Sequence, residues 1–205
     1  MEYRNDELLI RSQTVIITYE EYFEPMVLTK WQKKKRIELA EELEDALFLL
    51  FLAWYYDTDV IEAQNTFMET YMGAVEKYDD VGLRDDFDEY ITLLAANLYD
   101  STIRNMDEPY FTSLDRAMYV AANEANTAMN KIEFGEAKAD GKTKKTWHTE
   151  RDLRVRPTHV LVESKTVPID DDFIVGGYPM AYPKDASKGA PPSEIINCRC
   201  ALTYS

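Results

Sequence analysis

Leucines recur at three- and four-residue steps through the first third of the chain: Leu39, Leu43, Leu47 and Leu50, then Trp54, with Glu41, Glu42, Glu44 and Asp45 between them. That period gathers the apolar side chains on one face of an α-helix, predicted to start near Thr29 and end before Asp57. Asp57-Thr58-Asp59 offers side-chain oxygens of the kind that cap a helix, and a second helix is expected from Asp59 to about Lys77. Asp79-Asp80-Val81-Gly82 breaks the pattern. A third helix follows, with Phe87, Tyr90, Ile91, Leu94, Leu98 and Ile103 on one face. Asp107-Glu108-Pro109 ends it, and Thr112-Ser113 caps a fourth that runs from Leu114 to about Ala137. Ahead of these, residues 8–22 mix β-branched Thr14-Val15-Ile16-Ile17-Thr18 with helix formers, and are read as a helix ending near Pro25.

Beyond Lys138-Ala139-Asp140-Gly141 the pattern changes to strands and turns. Residues 144–149 alternate as a short strand, residues 158–162 and 165–167 suit a hairpin around Glu163-Ser164, and residues 200–204 suit a closing strand. Asp170-Asp171-Asp172, Gly176-Gly177, Pro179, Pro183 and Pro191-Pro192 mark loops. The expected class is α+β: a helical N-terminal region, residues 1–110, followed by a loop-rich module with its leading helix, residues 111–205.

Charge follows the same division. Of 205 residues, 38 are acidic and 23 basic, a net of −15, which opposes a protein whose whole surface grips nucleic acid or anionic lipid. Residues 137–205 hold 11 basic and 9 acidic side chains, against 12 and 29 in residues 1–136, so the acidity sits on the helical region. Two cysteines two residues apart cannot staple a small secreted fold, and a reducing compartment is expected. The chain's start shows no basic stretch followed by an apolar run. The longest apolar run, residues 46–56, has eleven residues, against roughly 20 needed to span a bilayer. It is expected to be a buried helix, with no stable membrane insertion.

The chemistry-bearing residues lie in the second region. Cys198 and Cys200, with His148 and His159, supply the four ligands of a zinc site. The Cys-x-Cys spacing is tighter than usual and the histidines are distant in sequence, so the expectation is no metal and no cofactor, with that zinc set as the alternative. A Cys198 or Cys200 nucleophile activated by His159, oriented by Asp152 or Asn197, gives a second alternative: a hydrolytic or metal-dependent enzyme. No catalytic residue is expected. Asp152, Arg154 and Arg156 alternate, so on a strand they would share a face opposite Val155, within reach of Asp170, Asp171 and Asp172. Alternatively, Lys142, Lys144, Lys145, Arg151, Arg154 and Arg156 form a phosphate-facing patch. A weak, salt-sensitive, non-specific DNA-binding accessory would result. Asn123, Asn126, Thr127 and Asn130 share one side of the fourth helix, to dock loops by hydrogen bonding their backbone or to face water. Trp147 is expected to bury one ring face against that helix.

Several blocks in this region carry a resemblance. Lys144-Lys145-Thr146-Trp147, Asp152-Leu153-Arg154-Val155-Arg156-Pro157-Thr158-His159 and Val167-Pro168-Ile169-Asp170-Asp171-Asp172-Phe173 come first. Gly176-Gly177-Tyr178-Pro179-Met180, Tyr182-Pro183, Gly189-Ala190-Pro191-Pro192-Ser193-Glu194 and Asn197-Cys198-Arg199-Cys200 follow in order. Together, over about residues 115–205, they resemble the Mu F-like phage head morphogenesis family. Where members usually carry Arg-Thr-Glu, this chain has Ala122-Asn123-Glu124. The resemblance implies a non-enzymatic minor head protein of a phage or prophage, acting in head assembly or genome delivery. Its implied partners are the portal and capsid proteins of the same phage, with at most weak contact to packaged DNA. It would reside in the virion head after assembly in the host cytoplasm. The motif residues so implied are Trp147, Asp152, Arg154, Arg156, His159, Asp171, Phe173, Asn197, Cys198, Arg199 and Cys200.

Overall fold

The computed structural model describes residues 18–53 and 59–205. In order these form α1 (Tyr19–Phe23), α2 (Lys30–Leu52), α3 (Val60–Glu76), α4 (Arg84–Arg104), a 3-10 turn (Pro109–Thr112), α5 (Leu114–Ala139), β1 (Lys144–His148), α6 (Pro157–Val160), β2 (Thr166–Pro168), β3 (Phe173–Val175), β4 (Tyr178–Met180), α7 (Pro192–Ile195) and β5 (Ala201–Tyr204). The class is α+β. Most of the expected helix over residues 8–22, and Trp54 to Thr58, lie outside the described residues. The remainder divides into two compact units, one drawn from residues 37–122 and the other from residues 20–36 and 123–205.

In the first unit, aspartate side chains at two helix boundaries replace missing backbone partners. Asp59 accepts from the backbone N–H groups of Ile61 and Glu62 to open α3. Asp79 takes the N–H groups of Val81, Gly82 and Leu83, and Gly82, at φ 78°, supplies the left-handed turn before α4. Leu39, Leu43, Leu47 and Leu50 of α2 are fully buried, as are Phe67 and Tyr71 of α3 and Phe87 and Ile91 of α4. Of the described part of the apolar run, residues 46–53, Ala46, Leu47, Leu50, Phe51 and Ala53 belong to this core, whereas Leu49 is exposed. Among the described residues no helix is long and apolar enough to cross a membrane.

α2 opens in the second unit with a capping box: Gln32 N–H donates to Thr29 Oγ1, and Thr29 N–H donates back to Gln32 Oε1. The sheet of this unit has the order β2-β1-β5, antiparallel throughout. β3 and β4 form a separate hairpin around Gly176 and Gly177, whose φ of 60° and 90° suit the tight turn that matches strand twist. Trp147, on the inward face of β1, is wholly buried with Val162, Phe173, Val175, Met180, Cys198, Cys200 and Leu202. Its ring meets Phe173 and His159 at 5.1 and 6.0 Å between centroids, and the side chain is enclosed on every side.

Two expected strands are not strands. Residues 158–162 do not pair as a hairpin with 165–167. Pro157 occupies the first position of α6, where its fixed φ favours a helical turn. Ser164, at φ 59°, reverses the chain, and β2 pairs with β1 instead. Residues 152–156 form a turn. The Asp152 carboxylate accepts the N–H of Arg154 at 2.9 Å, a local bond that competes with strand pairing.

Candidate functional site

α6, the turn at Asn197 and the start of β5 converge on three buried groups: the His159 imidazole and the thiols of Cys198 and Cys200. His159 Nδ1 lies 3.4 Å from Cys200 Sγ and 3.6 Å from Cys198 Sγ. The other ring nitrogen, Nε2, lies 3.1 Å from Glu194 Oε2, which also accepts from Thr158 Oγ1 at 2.8 Å. Gly176 stands behind that carboxylate. A Cβ added there would come within 2.7 Å of Glu194 Oε1.

Asn197 places the cysteines. It holds φ 57°, a left-handed conformation that asparagine tolerates better than most residues, and its N–H donates to Asn123 Oδ1 at 2.8 Å. The next carbonyls are held from α5. Asn126 Nδ2 donates to Cys198 O and Cys200 O, and Asn130 Nδ2 to Cys200 O. Arg36, fully buried, fixes both amides by donating to Asn126 Oδ1 and Asn130 Oδ1, and it forks onto Glu133 at 2.6 and 3.0 Å. Lys184, also buried, donates to both oxygens of Asn123 at 2.6 Å; burial lowers its ammonium to about 8. Thr127 bonds within its own helix, Oγ1 donating to Asn123 O. Docking, not solvation, is thus what the asparagine side of α5 does.

The electrostatics divide the two thiols. A hydrogen bond from Cys200, joined by the His159 contact, holds Cys198 well below the usual thiol range against the opposing effect of burial. Cys200, the donor, is pushed well above it by that bond and by burial, while the Trp147 indole works to lower it. Burial would lower His159, but its bond to Cys198 and the thiolate charge outweigh that, and the net shift is upward. Beside the cluster lies a cavity of about 20 Å³ lined by Glu150, Arg154, Val155, Arg156, Asn197 and Arg199. Arg199 bridges the buried Glu150 and the Asp152 carboxylate, meeting the latter at 2.8 and 2.9 Å.

The expected residues therefore separate. His159, Cys198 and Cys200 come together with Asn197 adjoining. His148 does not join them: it lies on the opposite face of β1 and bonds Thr203 Oγ1. Asp152 pairs with Arg154 and Arg199, Arg156 donates to Ile196 O, and neither arginine reaches the loop at 170–172. There Asp170 pairs with Lys138 and Asp172 with Lys188, while Asp171 is exposed. Phe173 is core. Of the basic patch, Lys142 and Lys144 are exposed, whereas Arg151 is engaged by Glu163. Lys145 turns inward, donating to Ala181 O at 2.7 Å over the Phe134 ring. Burial lowers it to about 8, and it leaves the patch.

Sequence reasoning did not single out Glu194, Glu150, Arg36 or Lys184. Glu194 stands inside the block ending Pro192-Ser193-Glu194, where a signal existed. Arg36 closes the run Lys33-Lys34-Lys35-Arg36, which reads as a solvated charge cluster and gives none.

Comparison with curated proteins and with solved structures returns no match. A family model described as Phage Mu protein F like protein matches residues 94–203, beginning within α4, ahead of the residue 115 at which the motif blocks begin to be recognisable. The match covers more than half the chain and contains the whole cluster of His159, Glu194, Cys198 and Cys200. The chain belongs to the Phage Mu protein F like family.

Proposed function

We propose that the chain is a minor head protein of a phage or prophage, acting in head morphogenesis or genome delivery through contacts with the portal or the inner capsid surface. Family membership over residues 94–203 carries this reading. The way the second unit is built supports it: its polar side chains are used to pin loops, through Arg36, Asn126, Asn130, Lys184 and Arg199, and a fixed loop surface suits docking to a protein partner. The cavity beside the cysteines has room for about one water molecule, not for a substrate. The protein is placed in the virion head, reached from the host cytoplasm. Contact with packaged DNA is limited to exposed lysines such as Lys142 and Lys144, and is lost at moderate salt. A pull-down against the portal and major capsid proteins of the same element tests the reading. Retention of either through residues 94–203 is expected; retention of neither by the folded chain counts against it.

One observation favours a second reading. Cys198, His159 and Glu194 stand in the order thiol, imidazole, carboxylate, with the thiol pKa lowered, as an activated nucleophile requires. Hydrolase activity would then be lost in Cys198→Ala and in His159→Ala. Native protein whose Cys198 resists alkylation until unfolded rules this reading out.

A further inference from the structure

We propose that His159 Nδ1, Cys198 Sγ and Cys200 Sγ bind one zinc-class divalent cation that ties α6 to the Asn197 turn and β5. The three ligand atoms lie within 4.8 Å of one another, all on buried residues. Zinc bound by sulfur at about 2.3 Å and nitrogen at about 2.0 Å in a tetrahedron separates those two atoms by about 3.5 Å. His159 Nδ1 stands 3.4 and 3.6 Å from the two sulfurs. A single ring N–H cannot point along both directions, whereas one cation between three lone pairs serves all of them. The donor set, two thiolates and an imidazole, is one that zinc prefers over magnesium or calcium.

The surroundings match what such a centre needs. A histidine ligand is held by an acceptor on its far nitrogen, and Glu194 occupies that position at 3.1 Å. Thiolate ligands gain from nearby N–H donors. Trp147 Nε1 is buried without a hydrogen-bond partner among the described residues, in the same cluster as both cysteines. The fourth position falls to a water, for which the adjoining cavity has room. The sequence argued against a metal because the Cys-x-Cys spacing is tight and the histidines are distant along the chain. The fold removes His148 and brings the remaining three groups into contact. The proposal concerns the stability of this module and holds whichever partner the protein docks to.

The test is elemental analysis of the full, tag-free chain, produced with zinc and dialysed against metal-free buffer. About one zinc per chain is expected, kept in His148→Ala and lost in Cys198→Ser and Cys200→Ser. Glu194→Gln should weaken zinc affinity about 10- to 100-fold. Because the cysteine variants can fail to fold, the wild-type protein is also exchanged with cobalt. The result expected is thiolate-to-cobalt charge transfer with the strong visible bands of a tetrahedral ion. Natively folded wild-type protein free of zinc, zinc that survives Cys200→Ser, or a cobalt spectrum lacking thiolate bands would each overturn the proposal.

Discussion

Glu163 shows how one side chain holds a loop in this module. Its carboxylate accepts the Thr149 N–H at 2.5 Å, Arg151 Nε at 2.8 Å and Ser164 Oγ at 2.9 Å. Burial would raise its pKa, but the bonds from Thr149, Arg151 and Ser164 outweigh it and bring it to about 2, from an ordinary value of 4.5. A depressed carboxylate contributes stability that is complete above the unfolded value and lost as pH falls through the folded one. Wild type should therefore lose stability between pH 4.5 and about 2 more steeply than Glu163→Gln, which should be about 1–2 kcal/mol less stable at pH 7. Urea melts across that range measure both. At this scale the sequence announces chemical type and hides geometry. Cys198, Cys200 and His159 are visible because few residue types do metal or thiol chemistry. Which histidine joins them depends on the face of β1 that His148 occupies, and that is set by strand register rather than by its neighbours.

Between elements, the junction of α5 with the segment 197–200 depends on amide side chains. Asn126 sits at its centre, accepting from Arg36 and donating to two carbonyls. Asn126→Ala leaves a buried guanidinium one partner short and two carbonyls weakened, and should cost about 1–3 kcal/mol. Chemical denaturation should show that loss while far-ultraviolet circular dichroism keeps its helical signal, since α5 closes its own backbone bonds. Helices α2 to α5 were legible because a 3.6-residue period and its caps are local properties, as in Thr29 with Gln32 and in Asp59. The strands were legible only in part. β1 and β5 alternate clearly, but residues 158–162 are β-branched and apolar enough to mimic a strand, and Pro157 in front of them tips the balance to a turn. The same holds for Asp152-Leu153-Arg154, where a side chain bonding its own backbone overrides an alternating pattern.

Over the whole molecule, the part of the second unit beyond α5 is rich in loops and depends on a small core around Trp147. Trp147→Ala should cost about 3–5 kcal/mol, as large-to-small changes of buried tryptophan do, most of the stability available to a domain of this size. Thermal melting should show near-ultraviolet dichroism lost at lower temperature than far-ultraviolet dichroism, because the helices outlast the packing of this core. Charge is uneven at this scale too: the excess acid lies in residues 1–136, where it opposes a DNA-binding role for the whole chain and leaves protein docking as the reading that family membership favours. The most direct measurement is the copy number of this chain in heads purified after co-expression of the head genes of its element, by quantitative mass spectrometry. A low, constant number per head, far below that of the major capsid protein, is predicted, with malformed or unfilled heads when its gene is omitted. Complete heads that lack the chain while it accumulates free in the lysate would contradict the account.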